Sequence, residues 1–477
     1  MSDVFILLSF AFAIVGLVLM IGRFKVHPVF VLFVVVAVLS LMFGQGGAGT
    51  VSLINEGFGN TLANVGLLIV FGCVLGKALE ISGGALRITQ SVEKMLGTKR
   101  KMPWGIALAS TIIGIPLIAD TTVIMLIPIV SAMAYRSKES MMKFGPILYI
   151  GAYVMTSLIV PGPGPLAAAG VLGLDFGMSI MYGLLVGLPG IAVATFYLTR
   201  IKTYVAPKAE FIESIAKAEQ QAEQEQREGG SGTTKTLTAQ NGGVGRTLAL
   251  SPFTGLPVRL GFALLPIYLP ISLIMIDSLL GPTLPEGSFI QELVGFVGAP
   301  IMALAIGVLS TLPLFGGAWR RKEIVNGMFE DGLRTAAMPL ALTGVGGALA
   351  LLIRETGVAE RMSEVIQDVG IPPLIVPFLV AAAICTITGS NILGMLTASA
   401  IMAPLIDDLG VSALAVYLAC GTGAQIFKHA NSSGFWVTTT LSNMTVGQGI
   451  RSIGVASIIS GVTGFAIVLV LYYAGLI

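Results

Sequence analysis

The chain has 477 residues, of which 55% are hydrophobic and 11% charged, and its 27 basic and 25 acidic residues leave a formal net charge of +2. No soluble domain of this size could hide so much apolar surface. The composition therefore excludes a soluble protein and predicts a polytopic membrane protein with about ten spans. The near balance of charges gives no reason to expect a nucleic-acid partner.

The first half begins with three apolar segments that predict membrane spans. The first of them lacks a basic start and a small-residue cleavage site, so we expect a retained span and not a signal peptide. A longer apolar stretch follows, and two more segments after it again predict spans. The segments that predict single spans lie at roughly 4–22, 28–44, 62–81, 144–175 and 178–199.

Residues 103–135, the longer stretch, predict a re-entrant hairpin. Basic residues 99–101 precede it, and Arg136 and Lys138 follow it. Because cytoplasmic loops collect Lys and Arg, both ends are expected on the cytoplasmic side of the bilayer. Its middle, residues 120–122, is polar, and irregular polar backbone at membrane depth is tolerated only inside protein or beside a water-filled cavity. We therefore expect the tip of this hairpin to lie at a binding site.

Residues 203–257 predict a cytoplasmic, flexible linker. They contain a Gln/Glu/Ala-rich run at 216–228 and then a Gly/Ser stretch, with no feature that indicates a folded core. The linker separates a first transmembrane repeat, residues 1–202, from a second, residues 258–477. Both chain termini are then expected on the periplasmic side.

The second half repeats the pattern of the first. Its apolar stretch 371–406 also has a polar middle, but the flanks are acidic or neutral, as expected for a hairpin that enters from the opposite face. Glu56-Gly57 and Asp331-Gly332 open matching segments before the two hairpins. The single spans are predicted near 258–280, 290–312, 337–354, 411–428 and 450–474.

Together these features predict an all-α polytopic membrane protein built from two inverted repeats of about five spans. Each repeat is expected to contain a re-entrant hairpin and a broken helix. Inverted repeats whose broken helices meet at the midplane are typical of secondary transporters.

Four breaks carry the candidate binding residues. Two are the hairpin tips, and two interrupt later spans, at the Pro/Gly run 161–165 and at residues 429–434. Free N–H groups at half-helix starts favour a carboxylate ligand, and freed carbonyls, hydroxyls and amides can bind a cation or hydroxyl groups. With no arginine in these segments, helix starts and neutral donors would hold an anion. The candidate substrate-binding residues are Thr121, Thr122, Gly162, Gly164, Ser390, Asn391, Asn431 and Ser432.

Two further residues are candidates for ion coupling. Asp120 could carry a proton, ligate Na⁺ or cap the returning helix, and these roles are compatible. His429 could titrate near neutrality, donate to a substrate oxygen or make a structural hydrogen bond.

Other function classes find little support in the sequence. It contains no phosphate-binding loop, no zinc-binding His pair and no nucleophile with a base in reach, so neither an enzyme nor a metal or other cofactor is expected. The three cysteines have no paired spacing and predict no disulfide. The energy source is therefore expected to be an ion gradient. A channel or a membrane-embedded enzyme is the alternative from another class.

With these residues in hand, the chain resembles the gluconate permease family, part of the ion transporter superfamily, over most of its length outside the linker. The motifs that carry the resemblance are residues 57–62, 76–85, 163–170 and 431–436. The resemblance implies proton-coupled uptake of small hydroxy acids or sugar acids such as gluconate across a bacterial inner membrane. It also implies a homodimer whose mobile transport parts move against a fixed scaffold, in the manner of an elevator.

Two positions depart from the family pattern. Gly162 stands where members usually have a histidine, and Ser432 stands where they often have an aspartate. The resemblance therefore leaves open a sodium-coupled carrier of another carboxylate or of an amino acid.

Overall fold

The computed structural model describes residues 23–88, 101–212, 258–356, 372–430 and 432–477, together with isolated positions between 5 and 21 and at 91, 364 and 368. Most of the predicted span 4–22, most of the predicted linker 203–257 and the candidate residue Asn431 lie outside the described residues. The predictions made for them therefore remain predictions.

The described ranges consist of helices and the turns that join them, with no β-strand among them. In this part of the chain eight helices are long and apolar enough to cross a membrane, or nine if a bent pair counts as one span. This confirms the predicted all-α polytopic class. The first half contains α1 (Pro28–Met42), α2 (Gly46–Ile81), α3 (Met102–Gly114), α4 (Ala119–Ser137), α5 (Met141–Leu158), α6 (Pro163–Val171) and α7 (Phe176–Thr199). The second half contains α8 (Leu260–Leu280), α9 (Phe289–Gly298), α10 (Pro300–Leu309), α11 (Lys322–Glu355), α12 (Ile375–Thr388), α13 (Asn391–Met402), α14 (Ala413–Gly423), α15 (Ser433–Leu441) and α16 (Val455–Tyr473). Short 3₁₀, α and π segments at Gly281–Thr283, Leu312–Arg320, Ala403–Leu405, Ile406–Leu409, Val446–Gly449 and Ile450–Gly454 complete the helical structure of the described part.

The two longest helices, α2 and α11, form the most extensive helix pair of the fold. They run antiparallel, because Gly57 near the start of α2 packs on Ala348 near the end of α11, while Gly332 packs on Val74. Gly57 and Gly332 occupy matching places in the two halves, so each makes the same kind of contact with the other helix. The C-terminal ends of α2 and α11, which lead toward the two hairpins, therefore lie at opposite ends of the pair.

Both long helices begin earlier than the sequence predicts. The expected spans start at residues 62 and 337, whereas the helices start at Gly46 and Lys322. At 36 residues, α2 is about 54 Å long, well beyond the ~30 Å hydrocarbon core. The acidic residues before each apolar segment are therefore part of a helix that extends past the core.

The stretch predicted as one span at 290–312 is two helices. α9 and α10 meet at Ala299 with a bend of 68°. Pro300 opens α10, and a proline lacks the N–H that would continue the preceding helix and pushes the residue before it toward extended backbone. The bend therefore follows from one residue within the apolar run.

α5 lies at the centre of the molecule, where every residue except Lys143 is buried. Gly114 of α3 packs directly on the backbone of Ala152, and Ser110 of α3 packs against Gly151. The Thr156 hydroxyl lies 3.3 Å from the carbonyl oxygens of both Gly114 and Leu117. α5 thus contacts the turn between α3 and α4, where a re-entrant hairpin was predicted.

Candidate functional site

Four helices begin at the breaks, in two contacting pairs. The start of α4 lies against the start of α15, where the Ser433 hydroxyl donates to the Asp120 carboxylate. The start of α6 lies against the start of α13, where a side chain at Gly164 would meet Ile392 at 3.3 Å. Each pair joins a helix of the first half to a helix of the second half.

One face of α5 connects the two pairs. Tyr149, Tyr153 and Ser157 are spaced four residues apart and so share a face of the helix. The Tyr149 hydroxyl lies at the start of α15, where a Cβ added at Gly434 would be 2.9 Å from it. The Ser157 hydroxyl accepts a hydrogen bond of 2.9 Å from the Asn391 amide, at the start of α13. Tyr149 and Tyr153 stack with ring centroids 5.2 Å apart.

The helices that begin at the breaks are mostly uncapped. The N-cap residues of α4, α6 and α15 make no side-chain capping hydrogen bond. Several helices away from the breaks, such as α1 and α8, also lack a side-chain cap, whereas α7 is capped by Asp175 and α14 by Ser412. The first N–H groups of a helix have no intrahelical partner and carry partial positive charge, so uncapped starts inside the protein can receive an anion.

The break at residues 159–162 lies between α5 and α6. α6 begins within the Pro/Gly run, at Pro163, because proline has the φ of a first helical turn and needs no N–H there. Pro163 and Pro165 have no N–H, so Gly164 carries the only backbone donor in the first three positions. Gly162 is the N-cap residue and is buried.

The second hairpin turns at Gly389, which ends α12 with a left-handed φ of 75°. Ser390 caps α13 by accepting a hydrogen bond of 3.2 Å from the Leu393 N–H. Asn391 is half-buried, and its amide donates a hydrogen bond to the Ser157 hydroxyl. This bond connects the start of α13 in the second half to α5 in the first half.

Asp120 and the two threonines lie in the first turn of α4, directly after the break. Asp120 is half-buried and accepts from Ser433, across the boundary between the two halves. Thr121 is half-buried, whereas Thr122 is fully buried and its hydroxyl donates to the Ile118 carbonyl. Of the two threonines, Thr121 is thus the one with exposed surface.

The break between α14 and α15 lies against the last turn of α12. His429 Nε2 lies 2.9 Å from the Thr386 carbonyl oxygen, which can only accept, so Nε2 carries the proton. The Lys428 ammonium donates to the Gly389 carbonyl and lies 4.7 Å from the centroid of the Tyr153 ring. With 2% of its surface exposed, Lys428 is among the largest fully buried side chains of the described residues.

Sequence reasoning missed Lys428, Tyr149, Tyr153, Ser157 and Ser433. Lys428 was taken as the end of the predicted span 411–428, but α14 stops at Gly423 and places it inside the break. A lysine directly before a histidine in a break was the signal that could have found it.

The fold and these breaks define a class of protein, a polytopic membrane transport protein with discontinuous helices. The chain belongs to the GntP permease family, whose pattern it matches over residues 5–237 and 254–474. This confirms the family that its motifs resemble.

Two curated relatives and one solved structure are similar over nearly the whole chain. A gluconate permease of Pseudomonas aeruginosa is 31% identical, with 98% of each chain covered. A high-affinity gluconate transporter of Escherichia coli K12 is 28% identical, with 95% of this chain and 96% of the relative covered. The crystal structure of the Alcanivorax borkumensis YdaH transporter, described as having an unusual topology, shares the fold with a TM-score of 0.60, 13% identity, and 94% and 98% coverage. The curated relatives are permeases and transporters, which confirms that the chain is not an enzyme.

Proposed function

We propose that this protein is a proton-coupled symporter of a small hydroxy acid or sugar acid, with gluconate as the first candidate. The observation that carries the proposal is the set of uncapped helix starts at the breaks, those of α4, α6 and α15. Their free N–H groups suit a carboxylate, and the hydroxyls and amide of Thr121, Ser390, Asn391 and Ser433 suit the hydroxyl groups of a sugar acid. Family membership with named gluconate permeases supports this substrate class.

Asp120 is the first candidate for the coupling proton. Its half-buried carboxylate lies at the break between α3 and α4. Ser433 holds it beside the helix start that would receive the substrate. His429 is the weaker candidate, because its Nε2 proton is already donated to the Thr386 carbonyl.

The antiparallel pairing of α2 with α11 supports inverted repeats. Equivalent helices that cross a bilayer in opposite directions belong to repeats of opposite orientation, whose hairpins enter from opposite faces. We propose that the hairpins and broken helices move together against the remaining helices in an elevator-type cycle. We further propose a homodimer in the bacterial inner membrane, which the family resemblance supports. We also propose that the termini are periplasmic and the linker is cytoplasmic, which the loop charges support.

Uptake by purified protein in proteoliposomes tests this function. Labelled gluconate, glycerate, fructuronate and D-serine would be offered with and without an inward proton gradient, and separately with an inward sodium gradient. We expect at least one hydroxy acid to accumulate under the proton gradient alone. The sodium-coupled alternative would be favoured if any of these compounds, D-serine included, accumulated only under the sodium gradient. Transport of no organic acid under either gradient would exclude the symporter.

A further inference from the structure

Lys428 is a buried cation that the proposed transport cycle does not yet use. Its backbone N–H donates to the Ser457 hydroxyl of α16 at 2.9 Å, which fixes the chain at this point of the break. Its ammonium reaches the Gly389 carbonyl and the face of Tyr153. None of the ion pairs found within the described ranges includes Lys428.

The ammonium lies at the C-terminal end of a half-helix. Gly389 is the residue that ends α12, and the last carbonyls of a helix lack intrahelical partners and carry partial negative charge. His429 binds a second carbonyl of the same turn, that of Thr386. In transporters, half-helix ends and unwound carbonyls at membrane depth are where a monovalent coupling cation binds.

Side chains of α5 and α12 lie beside this ammonium. Tyr153 from α5 lies beneath it, and the Tyr153 hydroxyl reaches both the Ala424 carbonyl and the Cys385 sulfur. The Gly389 carbonyl and the face of the Tyr153 ring together make a cation site, which the Lys428 ammonium already occupies.

We propose that Lys428 is a built-in cation that takes the place of a bound metal cation at the second hairpin. The inference rests on the proposed function, because it explains why a proton would suffice for coupling. It predicts that the second hairpin closes on the break in the absence of Na⁺. It also predicts that removing the ammonium creates a vacant cation site.

Four variants of the full-length protein test this. Lys428→Met removes the charge and fills the space, so uptake is expected to fall about tenfold to a hundredfold in any salt, the effect of losing a charge-assisted hydrogen bond to a buried carbonyl. Lys428→Ala leaves room, so Na⁺ or methylammonium is expected to restore part of the uptake and to raise the unfolding temperature. Lys428→Arg keeps the charge and most of the uptake. Lys143→Met is the matched control, since Lys143 pairs with Glu139 at the start of α5, away from the breaks.

Wild-type protein is expected to show the same uptake and the same unfolding temperature in sodium chloride and in choline chloride. An increase of either quantity with Na⁺ would overturn the inference. It would also be overturned by wild-type uptake in Lys428→Met, or by a Lys428→Ala protein that neither cation stabilises. Measuring the unfolding temperature requires no transported substrate, and comparing wild-type protein in the two salts requires no variant. These measurements therefore test the inference even if no sugar acid is transported. Failure to transport any sugar acid would count against the proposed function, not against the inference.

Discussion

Replacing Gly57 by alanine is expected to destabilise the protein by about 3 kcal/mol, the upper end of the usual cost of overpacking. An added Cβ would lie 2.5 Å from the Ala348 Cα and 2.9 Å from the Gly347 carbonyl oxygen. Both are backbone atoms of α11, so no side-chain rotation can make room and the two long helices must separate. Thermal unfolding of the purified protein in detergent measures the loss.

Gly59→Ala is the matched control on the same helix. An added Cβ at Gly59 meets nothing within 4 Å. Alanine is the better helix former by about 1 kcal/mol, so this variant is expected to unfold at the wild-type temperature or slightly above it. Equal unfolding temperatures for the two variants would contradict the close crossing of α2 and α11.

Replacing Asp120 by asparagine is expected to abolish accumulation driven by a proton gradient while exchange of substrate across the membrane continues. Asparagine keeps the size of the side chain and can still bind the Ser433 hydroxyl, but it cannot carry the proton. The accumulation ratio should therefore fall to about one, the value for a carrier without coupling. Proteoliposome uptake at two pH values, with counterflow measured in parallel, gives both quantities.

Asp175→Asn is the matched control for Asp120. Asp175 is also an acid at a helix start, but it caps α7 by accepting from the Met178 N–H at 2.8 Å and has no place among the breaks. The control is expected to lose at most about 1 kcal/mol of stability and to keep the pH dependence of uptake. If Asp120→Asn keeps the same pH dependence, Asp120 is only a structural residue at the start of α4.

Much of the fold could be predicted from the sequence because its signals are local. Apolar length indicates helices that cross a membrane, and Pro and Gly clusters mark the places where helices break. The breaks at 159–162 and 389–390 were located to within a few residues for this reason. The extension of α2 and α11 beyond the apolar core was not predicted, because a charged segment that continues a helix has the same polar composition as a loop.

The site itself could be predicted only in part. Its helix starts could be predicted from the breaks, but the face of α5 formed by Tyr149, Tyr153 and Ser157 was not predicted. α5 is buried all round, so its apolar residues do not indicate which side lines the site, and the four-residue spacing of the three hydroxyl-bearing side chains was the signal that was overlooked. Lys428 belongs to the break because α14 ends at Gly423, five residues before it, a boundary that the apolar run does not mark.

The central claim is that two hairpins enter from opposite faces and meet at the breaks. Single cysteines at Lys101, Arg136 and Asp408, all exposed, can be labelled with a reagent that does not cross the membrane. The native thiols of Cys73, Cys385 and Cys420 are buried and should stay unlabelled. We expect positions 101 and 136 to react from the cytoplasmic side and position 408 from the other. Labelling of 101 and 136 from different sides, or of all three from one side, would contradict the account.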